Sequence, residues 1–458
     1  MKLSDTIGAI STPIGEGGIS VIRLSGENSF ELIQKIFFKE KDQSRRIVIS
    51  EEASHTVHFG YIFEGSQLID EVLITIFKNP HSYTGEDVIE ISSHGGTYIT
   101  QKILSVLLNN KVRHAEPGEF TKRAFINGKM DLSQAEAVAD LIRSKTDSAH
   151  SSSIKQLEGS LSEFVYKTRQ DIINIVSLVE LELDFAEEGL EFVKKEEILD
   201  MINSLNERLR NIIASYITGK VIREGVNLVI AGKPNSGKSS LFNYLLKTNR
   251  AIVSSIAGTT RDYIEESIII NGVLFNLIDT AGLRQSLDEI ESEGIKRSHK
   301  KIKEADLIIY LVDSSDSQEE IKKETEHFRE DYNKENTILV FSKTDLSKVN
   351  LTEDGIRISL LEDKTIEELK KEMISKVTSG KLSLSSEDII LTNLRHRICL
   401  ENVVTSLDEA ANTIKDSMSG EFISVDLRNA LNHLGEITGE VTNDDILNNI
   451  FRNFCIGK

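Results

Sequence analysis

Alternating and continuous apolar runs divide the first quarter of the chain into strands and two helices. Strand-like runs TIGAIST, GGISVIRLSG, HTVHFGYIF, LIDEVLITIF and DVIEISSHGG are interrupted by helical patterns at Ser29 to Phe38 and at Tyr98 to Leu108. Period-two alternation is typical of strands with one buried face, and steps of three and four are typical of helices. This mixture predicts a compact α+β domain.

Helix-forming sequence follows Pro117. The segments EFTKRAFINGK and SQAEAVADLIRSK precede a long amphipathic run from Leu161 to Phe185. Apolar residues in that run recur mainly at steps of three and four, which predicts one buried helix face. We interpret this face as the core of a helical bundle, because a ligand role is far rarer for such a stripe. The residues of the predicted face are Phe164, Ile172, Val176, Val179 and Leu183.

Buried strands return near Val226. The runs VNLVIAG, SIIINGVLFNLIDT, DLIIYLVD, TILVFSKTD and IRIS have helical segments between most of them, and Asn271-Gly272 predicts a hairpin turn. This order predicts a mostly parallel, doubly wound sheet. Helical pattern resumes at about Leu384, so we predict that the α/β domain is inserted into one helical domain. Such an insertion would bring Lys458 back towards the N-terminal half.

Composition indicates a globular protein of several domains. The chain has 458 residues, of which 39 % are hydrophobic, and no stretch approaches the roughly 18 apolar residues of a membrane-spanning helix. We therefore expect a cytoplasmic protein without a membrane association. Two cysteines, Cys399 and Cys455, are too few for a disulfide framework, so we predict reduced thiols. The net charge of −19 argues against a broad nucleic-acid surface, and a partner should carry much of any RNA contact.

One octapeptide has the spacing of a phosphate-binding loop. The sequence GKPNSGKS, from Gly232 to Ser239, follows a predicted strand and precedes a predicted helix, as a Walker A loop must. Its backbone N–H groups and the helix N-terminus can hold phosphate oxygens. Lys238 can reach the β- and γ-phosphates, and the Ser239 hydroxyl can bind Mg²⁺.

Three further elements indicate GTP as the nucleotide. GTTRD, from Gly258 to Asp262, is expected to be a switch loop, and DTAG, from Asp279 to Gly282, can support the metal and face the γ-phosphate. SKTD follows another predicted strand, and its Asp345 can accept hydrogen bonds from guanine N1–H and N2–H, a donor pair that adenine lacks. Ser342 stands where asparagine is usual, so we predict that GTP is kept but held more weakly, by about 0.5–1.5 kcal/mol.

From end to end the chain resembles the MnmE/TrmE family of tRNA-modification GTPases. The matching motifs are GGISVIRLSG, YTGEDVIE, HGG, PGEFTKRAFINGKMDLSQAEAVADLI, GKPNSGKSSLFN, SIAGTTRD, DTAGLR, GEITGE and the terminal CIGK. The resemblance implies an N-terminal α+β folate-binding domain, a discontinuous helical domain and an inserted Ras-like P-loop G domain. The expected boundaries are 1–118 for the first domain, 119–220 and 381–458 for the helical domain, and 221–380 for the G domain.

The resemblance also implies how GTP is hydrolysed. Asn235, with Ser254, Ile256 and Thr259, would coordinate a K⁺ ion between the β- and γ-phosphates, and dimerisation of two G domains would close the switch loop over it. Thr260 would join Ser239 on Mg²⁺, and Glu291 would orient the attacking water as a catalytic residue together with Lys238. The expected nucleotide-binding residues are Asn235, Ser236, Gly237, Lys238, Ser239, Ser240, Ser254, Ser255, Ile256, Ala257, Gly258, Thr259, Thr260, Asp279, Thr280, Ala281, Gly282, Ser342, Lys343, Asp345, Ser359 and Leu360.

In the N-terminal half, the resemblance places a folate site at four residues. Arg23, Glu90 and Lys129 match the 5-formyltetrahydrofolate positions of the family, and the CIGK tail would return to the same pocket with Lys458 at its tip. A carboxylate such as Glu90 can read a pterin edge, and Arg23 and Lys129 can pair with the anionic glutamate of folate. Cys455 is either a reactive thiol or a positioning residue, since reactivity depends on a thiolate environment.

Two functions are compatible with these observations. The first is a GTPase that drives domain rearrangement in a homodimer, within a heterotetramer with a MnmG-type partner that uses FAD and NADH. That complex would use a one-carbon folate to build a 5-aminomethyl or carboxymethylaminomethyl group on the wobble uridine of tRNA. The second is a non-catalytic GTP switch, for example in ribosome assembly. A ribosome switch needs no RLSG, TGEDVIE or CIGK motif, so folate binding separates the two hypotheses.

Overall fold

The computed structural model describes residues 5–184, 195–249, 265–278, 305–332, 335–347, 349, 353–378, 389–416, 420–442 and 444–458. The chain divides into two compact units. The first consists of Met1–Ile142, Lys155–Ile198 and Glu409–Lys458, and the second of Arg143–Ile154 and Leu199–Asp408. Across the described ranges, we find no helix that has both the length and the apolar character of a membrane span.

A seven-stranded sheet forms the centre of the first unit. Its strands are β1 (Ile7–Ile10), β2 (Ile19–Ser25), β3 (Phe37–Phe38), β4 (Thr56–Glu64), β5 (Gln67–Phe77), β6 (Val88–His94) and β7 (Arg113–His114). They lie in the order β3-β4-β5-β6-β2-β1-β7, and only β1 and β7 pair in parallel. Val72, Ile74 and Ile76 of β5 alternate into the core. This is the period-two burial that the sequence predicted.

Helices α1 (Ser29–Ile36) and α2 (Thr97–Asn109) share that core. The predicted end of the first helix at Phe38 was wrong, because Phe37 and Phe38 form β3 and pair with Ile62 and Tyr61 of β4. Both phenylalanine side chains are buried, so strand pairing satisfies their backbone while their rings fill the core.

In chain order, the further helices are α3 (Glu119–Ile126), α4 (Leu132–Arg143), α5 (Asp147–Leu157), α6 (Ser160–Asp184), α7 (Lys195–Ala214), α8 (Tyr216–Glu224), α9 (Lys238–Asn249), α10 (Gln318–Asp331), α11 (Asp363–Thr378), α12 (Leu394–Lys415), α13 (Gly420–Thr438) and α14 (Asp444–Arg452).

The long helix α6 packs against α13 within the first unit. Its predicted buried face is confirmed at Ile172, Val176 and Val179, whereas Phe164 is only half-buried and Val165 enters the core instead. Adjacent residues on a helix point about 100° apart, and the stripe that begins at Leu161 continues at the fourth residue, which is Val165. The side chain of Leu183 lies outside the described residues.

A six-stranded sheet forms the centre of the second unit. Its strands are β8 (Val226–Gly232), β9 (Glu265–Ile270), β10 (Val273–Ile278), β11 (Leu307–Asp313), β12 (Thr337–Ser342) and β13 (Ile356–Arg357), in the order β13-β12-β11-β8-β10-β9. All neighbours are parallel except β9 and β10, as predicted. Asn271 and Gly272 connect that antiparallel pair with φ of 47° and 81°. Two consecutive positive φ values are those of a type I′ hairpin turn.

Candidate nucleotide and cofactor sites

The phosphate loop runs from the end of β8 to the start of α9. Gly232 has a φ of 134°, and a Cβ atom at that position would lie 2.3 Å from the carbonyl oxygen of Leu311, so only glycine fits there. Lys238 Nζ donates to the carbonyl oxygens of Gly232 at 2.8 Å and Lys233 at 2.6 Å. The ammonium group therefore lies across the loop, where a phosphate group would meet it.

Two further features of this loop fit a phosphate ligand. Ser236 Oγ is buried and has no hydrogen-bond partner among the described residues, so it is a donor available to an anionic oxygen. Asn235 is exposed and has a φ of 67°, a left-handed conformation that asparagine adopts more readily than most residues. The loop thus presents a hydroxyl, an amide and an ammonium group next to a helix N-terminus, as anion binding requires.

Ser342 ties residues 342–345, the predicted guanine-reading loop, to the phosphate loop. Its Oγ donates to the carbonyl oxygen of Ser236 at 2.7 Å, with the carbonyl oxygen of Val312 at 3.3 Å as a second acceptor. Ser314 Oγ donates in turn to the carbonyl oxygen of Ser342 at 2.6 Å. The serine that replaces the usual asparagine therefore supplies one hydrogen bond between the two loops, which limits how far they can separate.

Asp345 is exposed at the end of this loop, and one oxygen of its carboxylate accepts a hydrogen bond. Ser359 Oγ donates to Asp345 Oδ1 at 2.7 Å and accepts from the backbone N–H of Leu361 at 3.2 Å. Leu360 is half-buried and packs against the sheet core. This arrangement orients a carboxylate that retains acceptor capacity for a guanine base.

Lys343 follows Ser342 in a left-handed conformation, with a φ of 55°, and pairs with Asp313 at the end of β11. Burial raises the pKa of Asp313, but the hydrogen bonds from Lys343 and Ser315 outweigh burial and lower the pKa below its usual value. The carboxylate therefore stays ionised and fixes Lys343 beside the loop.

Residues 254–260, 279–282 and 291, which carry the other expected nucleotide roles, lie outside the described residues.

In the first unit, the pairing register of two adjacent strands brings Arg23 and Glu90 together. They are register partners across β2 and β6, and Arg23 Nε and Nη2 both donate to Glu90 Oε1, at 2.9 and 2.7 Å. The Arg23 side chain is 13 % exposed and that of Glu90 27 %. Arg23 Nη1 is buried without a hydrogen-bond partner among the described residues. The pair therefore keeps one unused donor, Arg23 Nη1, and one acceptor to which Arg23 does not donate, Glu90 Oε2.

Two aromatic residues enclose this pair. The Arg23 guanidinium carbon lies 5.3 Å from the ring centroid of Tyr83 and 5.7 Å from that of Phe120. Sequence reasoning assigned neither residue, although Tyr83 opens YTGEDVIE and Phe120 lies in PGEFTKRAF. The presence of an aromatic residue inside each of these motifs was the sequence signal that could have identified them. Such rings fix a guanidinium in place and exclude water from it.

The C-terminal tail reaches the same place. Ser11 Oγ donates to the carbonyl oxygen of Gly457 at 3.2 Å, and the Gly118 N–H donates to the carbonyl oxygen of Cys455 at 3.4 Å. Burial lowers the pKa of Lys458, and so does repulsion from Arg23, whereas Glu90 and Cys455 raise it. Lys458 is thus close enough to Arg23 and Glu90 to respond to their charges. The Cys455 thiol is free and exposed.

Lys129 lies at a cavity that Tyr83 also lines. Its Nζ donates to the carbonyl oxygen of Pro80 at 3.0 Å. Lys129 and Tyr83 line an open cavity of about 400 Å³, together with His55, Phe77, His81 and Ser82. Tyr83 thus takes part in both places, since it lines the cavity at Lys129 and packs against the Arg23 guanidinium.

The parallel sheet, the loop after its first strand and the guanine-reading loop define a P-loop GTPase embedded in a larger chain. Residues 6–129 match the family model for the GTP-binding protein TrmE N-terminus, and residues 132–455 match that for the MnmE helical domain. The chain belongs to the MnmE family of tRNA modification GTPases.

Relatives cover the whole length of this chain. The tRNA modification GTPase MnmE of Christiangramia forsetii is 42 % identical over 100 % of both chains. The corresponding proteins of Thermoanaerobacter pseudethanolicus and Bacteroides thetaiotaomicron are 43 % and 40 % identical, each over 99 % of this chain and 99 % of their own. These relatives support the multidomain architecture and the identification of the chain as a GTPase.

Proposed function

We propose that the protein is a K⁺-dependent GTPase that acts with a MnmG-type flavin partner and a one-carbon folate on the wobble uridine of certain tRNAs. The product is a 5-carboxymethylaminomethyl or 5-aminomethyl group, and GTP hydrolysis drives G-domain dimerisation and a conformational change. The observation that carries the proposal is the presence, in one chain, of a phosphate loop tied to the predicted guanine-reading loop and of a half-buried Arg23–Glu90 pair in the unit that also holds the C-terminal tail.

The nucleotide half of the proposal assigns roles to residues of the second unit. Lys238 and the Ser236 hydroxyl hold the phosphates, Ser239 binds Mg²⁺, and Asp345 reads guanine. Asn235 contributes an amide oxygen to K⁺, since hard cations take oxygen ligands. The other K⁺ ligands and the remaining switch residues lie outside the described residues, and so does Glu291. Their roles in the proposal rest on the family resemblance.

The folate half rests on the donors and acceptors of the first unit. Arg23 Nη1 is an unused donor, and Glu90 Oε2 is an acceptor that Arg23 does not occupy. A pterin edge carries neighbouring N–H donors and a carbonyl acceptor, so this donor set fits it. The sequence predicted that Arg23 pairs with the glutamate of folate, but its hydrogen bonds to Glu90 support a role at the pterin edge instead. Lys129 and Lys458 then supply the positive charge for that glutamate. Bound 5-formyltetrahydrofolate or another one-carbon tetrahydrofolate would supply the one-carbon unit, and these residues would orient it and exclude water.

Exchange of Na⁺ for K⁺ is expected to raise GTP hydrolysis by roughly tenfold or more, because a fixed cation stabilises the charge that develops between the β- and γ-phosphates. The Asn235→Ala variant should lose this response. Steady-state phosphate release in matched KCl and NaCl measures both rates. The control is Asn243→Ala, which makes the same change at an exposed position of α9 and should respond like the wild type. Equal rates in the two salts would exclude the cation mechanism.

A further inference from the structure

A polar cavity of about 280 Å³ lies in the second unit, and none of its lining residues belongs to the phosphate loop or the guanine-reading loop. Its wall combines the end of α4, the start of α5, the end of α8 and strands β9 and β10. Its lining residues are also different from those of the cavity at Lys129. The cavity is therefore separate from the nucleotide and folate residues.

The lining of this cavity is positively charged. Arg143, Lys145 and Arg223 contribute three cations and Glu224 one carboxylate, so the local formal charge is 3 − 1 = +2. The whole chain carries −19, so this cavity is opposite in sign to the protein around it. Arg223 Nη1 lies 3.9 Å from Glu224 Oε1. Lys145, by contrast, is exposed and makes no ion pair within the described part of the chain.

The polar groups of the cavity are held in place by their neighbours. Thr146 Oγ1 accepts from the backbone N–H of Ala149 at 3.2 Å, so Thr146 caps the eleven-residue helix α5, whose N-terminus favours an anion. Asn276 Nδ2 donates to the carbonyl oxygen of Glu224 at 3.1 Å, and Asn276 Oδ1 accepts from Ser267 Oγ at 3.1 Å. A helix N-terminus, an amide and three cations thus line one cavity.

We propose that this cavity binds a backbone phosphate of the RNA substrate. The inference rests on the proposed function, which supplies that RNA. The cavity is slightly smaller than the ~300–1,000 Å³ of pockets that enclose whole small molecules, so a single phosphate with its adjoining sugar fits better than a complete nucleotide. A phosphate contact of this kind fixes the register of the RNA and carries no base specificity. It gives a strongly acidic chain a local point of attachment to RNA.

The test uses the full-length protein and unfractionated bacterial tRNA, with filter binding at several salt concentrations. Lys145→Glu is expected to weaken tRNA binding about tenfold and to lower the slope of log affinity against log salt by about one. The matched control is Lys322→Glu on α10, which reverses the same charge at an exposed position and should bind tRNA like the wild type. Unchanged GTP affinity in both variants shows that the second unit is folded.

The possible results separate this inference from the proposed function. If the wild type binds tRNA and Lys145→Glu binds it equally well, the phosphate site is overturned and the proposed function stands. If the wild type alone does not bind tRNA at all, the phosphate site is overturned and the proposed function stands, because a partner is expected to carry much of the RNA contact. Binding of inorganic phosphate that depends on Lys145, with tRNA affinity independent of Lys145, would indicate a site for a free anion and would also overturn the assignment to RNA.

Discussion

Replacement of Asp345 by asparagine is expected to change the base preference from guanine to xanthine. Aspartate offers two acceptors to guanine N1–H and N2–H, whereas asparagine offers one acceptor and one donor, which match N1–H and O2 of xanthine. Two charge-assisted hydrogen bonds, at about 1.5–3 kcal/mol each, predict that GTP affinity falls by roughly 10²–10⁴-fold. Competition between GTP, XTP and ATP for the wild type and Asp345→Asn measures this exchange.

Ser342→Ala provides the matched control for the base-reading experiment. It removes the 2.7 Å hydrogen bond to the carbonyl oxygen of Ser236, so it loosens the loop without touching the acceptors of Asp345. It should weaken GTP by about 0.5–1.5 kcal/mol and leave the preference for GTP over XTP intact. An Asp345→Asn variant that still prefers GTP, or a Ser342→Ala variant that prefers XTP, would contradict the assignment of Asp345.

Replacement of Arg23 by alanine is expected to weaken binding of 5-formyltetrahydrofolate by roughly 10²-fold or more, because removing one partner of a half-buried charge pair costs about 2–5 kcal/mol. The change removes the unused Nη1 donor and both hydrogen bonds that hold Glu90 Oε1. It also removes a charge that lowers the pKa of Lys458, so the pKa of that ammonium group should rise. Calorimetric titration of the full-length protein with 5-formyltetrahydrofolate measures the loss.

Two variants control the folate titration. Arg23→Lys keeps the positive charge but loses the planar fork, and it should bind folate with intermediate affinity. Lys41→Ala removes the same charge from an exposed ion pair with Glu71, at 2.8 Å, in the same unit, and should bind folate normally. Wild-type affinity in Arg23→Ala would exclude Arg23 from the folate site. Absence of binding by the wild type would favour the non-catalytic switch.

Local sequence pattern predicted most of the secondary structure and the two sheets. The burial alternation of β5, the type I′ turn at Asn271 and Gly272 and the loop from Gly232 to Ser239 each depend on neighbouring residues, so a short window of sequence contains the information. The prediction of a helix at Phe37 and Phe38 was wrong for the opposite reason, because their strand depends on Ile62 and Tyr61 of a later segment. Register with a distant strand is not visible in a local pattern.

The candidate sites were predicted at the level of single residues but not at the level of their contacts. The motifs named Arg23 and Glu90 separately, whereas their pairing and the rings of Tyr83 and Phe120 follow from the sheet register and from helix packing. The bond from Ser342 to the phosphate loop likewise joins positions 106 residues apart. The basic cavity draws on four segments, none of which carries a motif.

Reconstitution of the modification reaction tests most directly the claim that GTP hydrolysis and folate binding in this chain serve one reaction on tRNA. Purified protein, a MnmG-type partner with FAD and NADH, a one-carbon tetrahydrofolate, glycine or ammonium, and unmodified tRNA are combined with GTP or GDP, and nucleosides are analysed by mass spectrometry. We predict a 5-carboxymethylaminomethyl- or 5-aminomethyluridine with GTP and K⁺, and none with GDP or with Lys238→Ala. Equal product with GTP and GDP, or none with GTP and K⁺, would contradict the account.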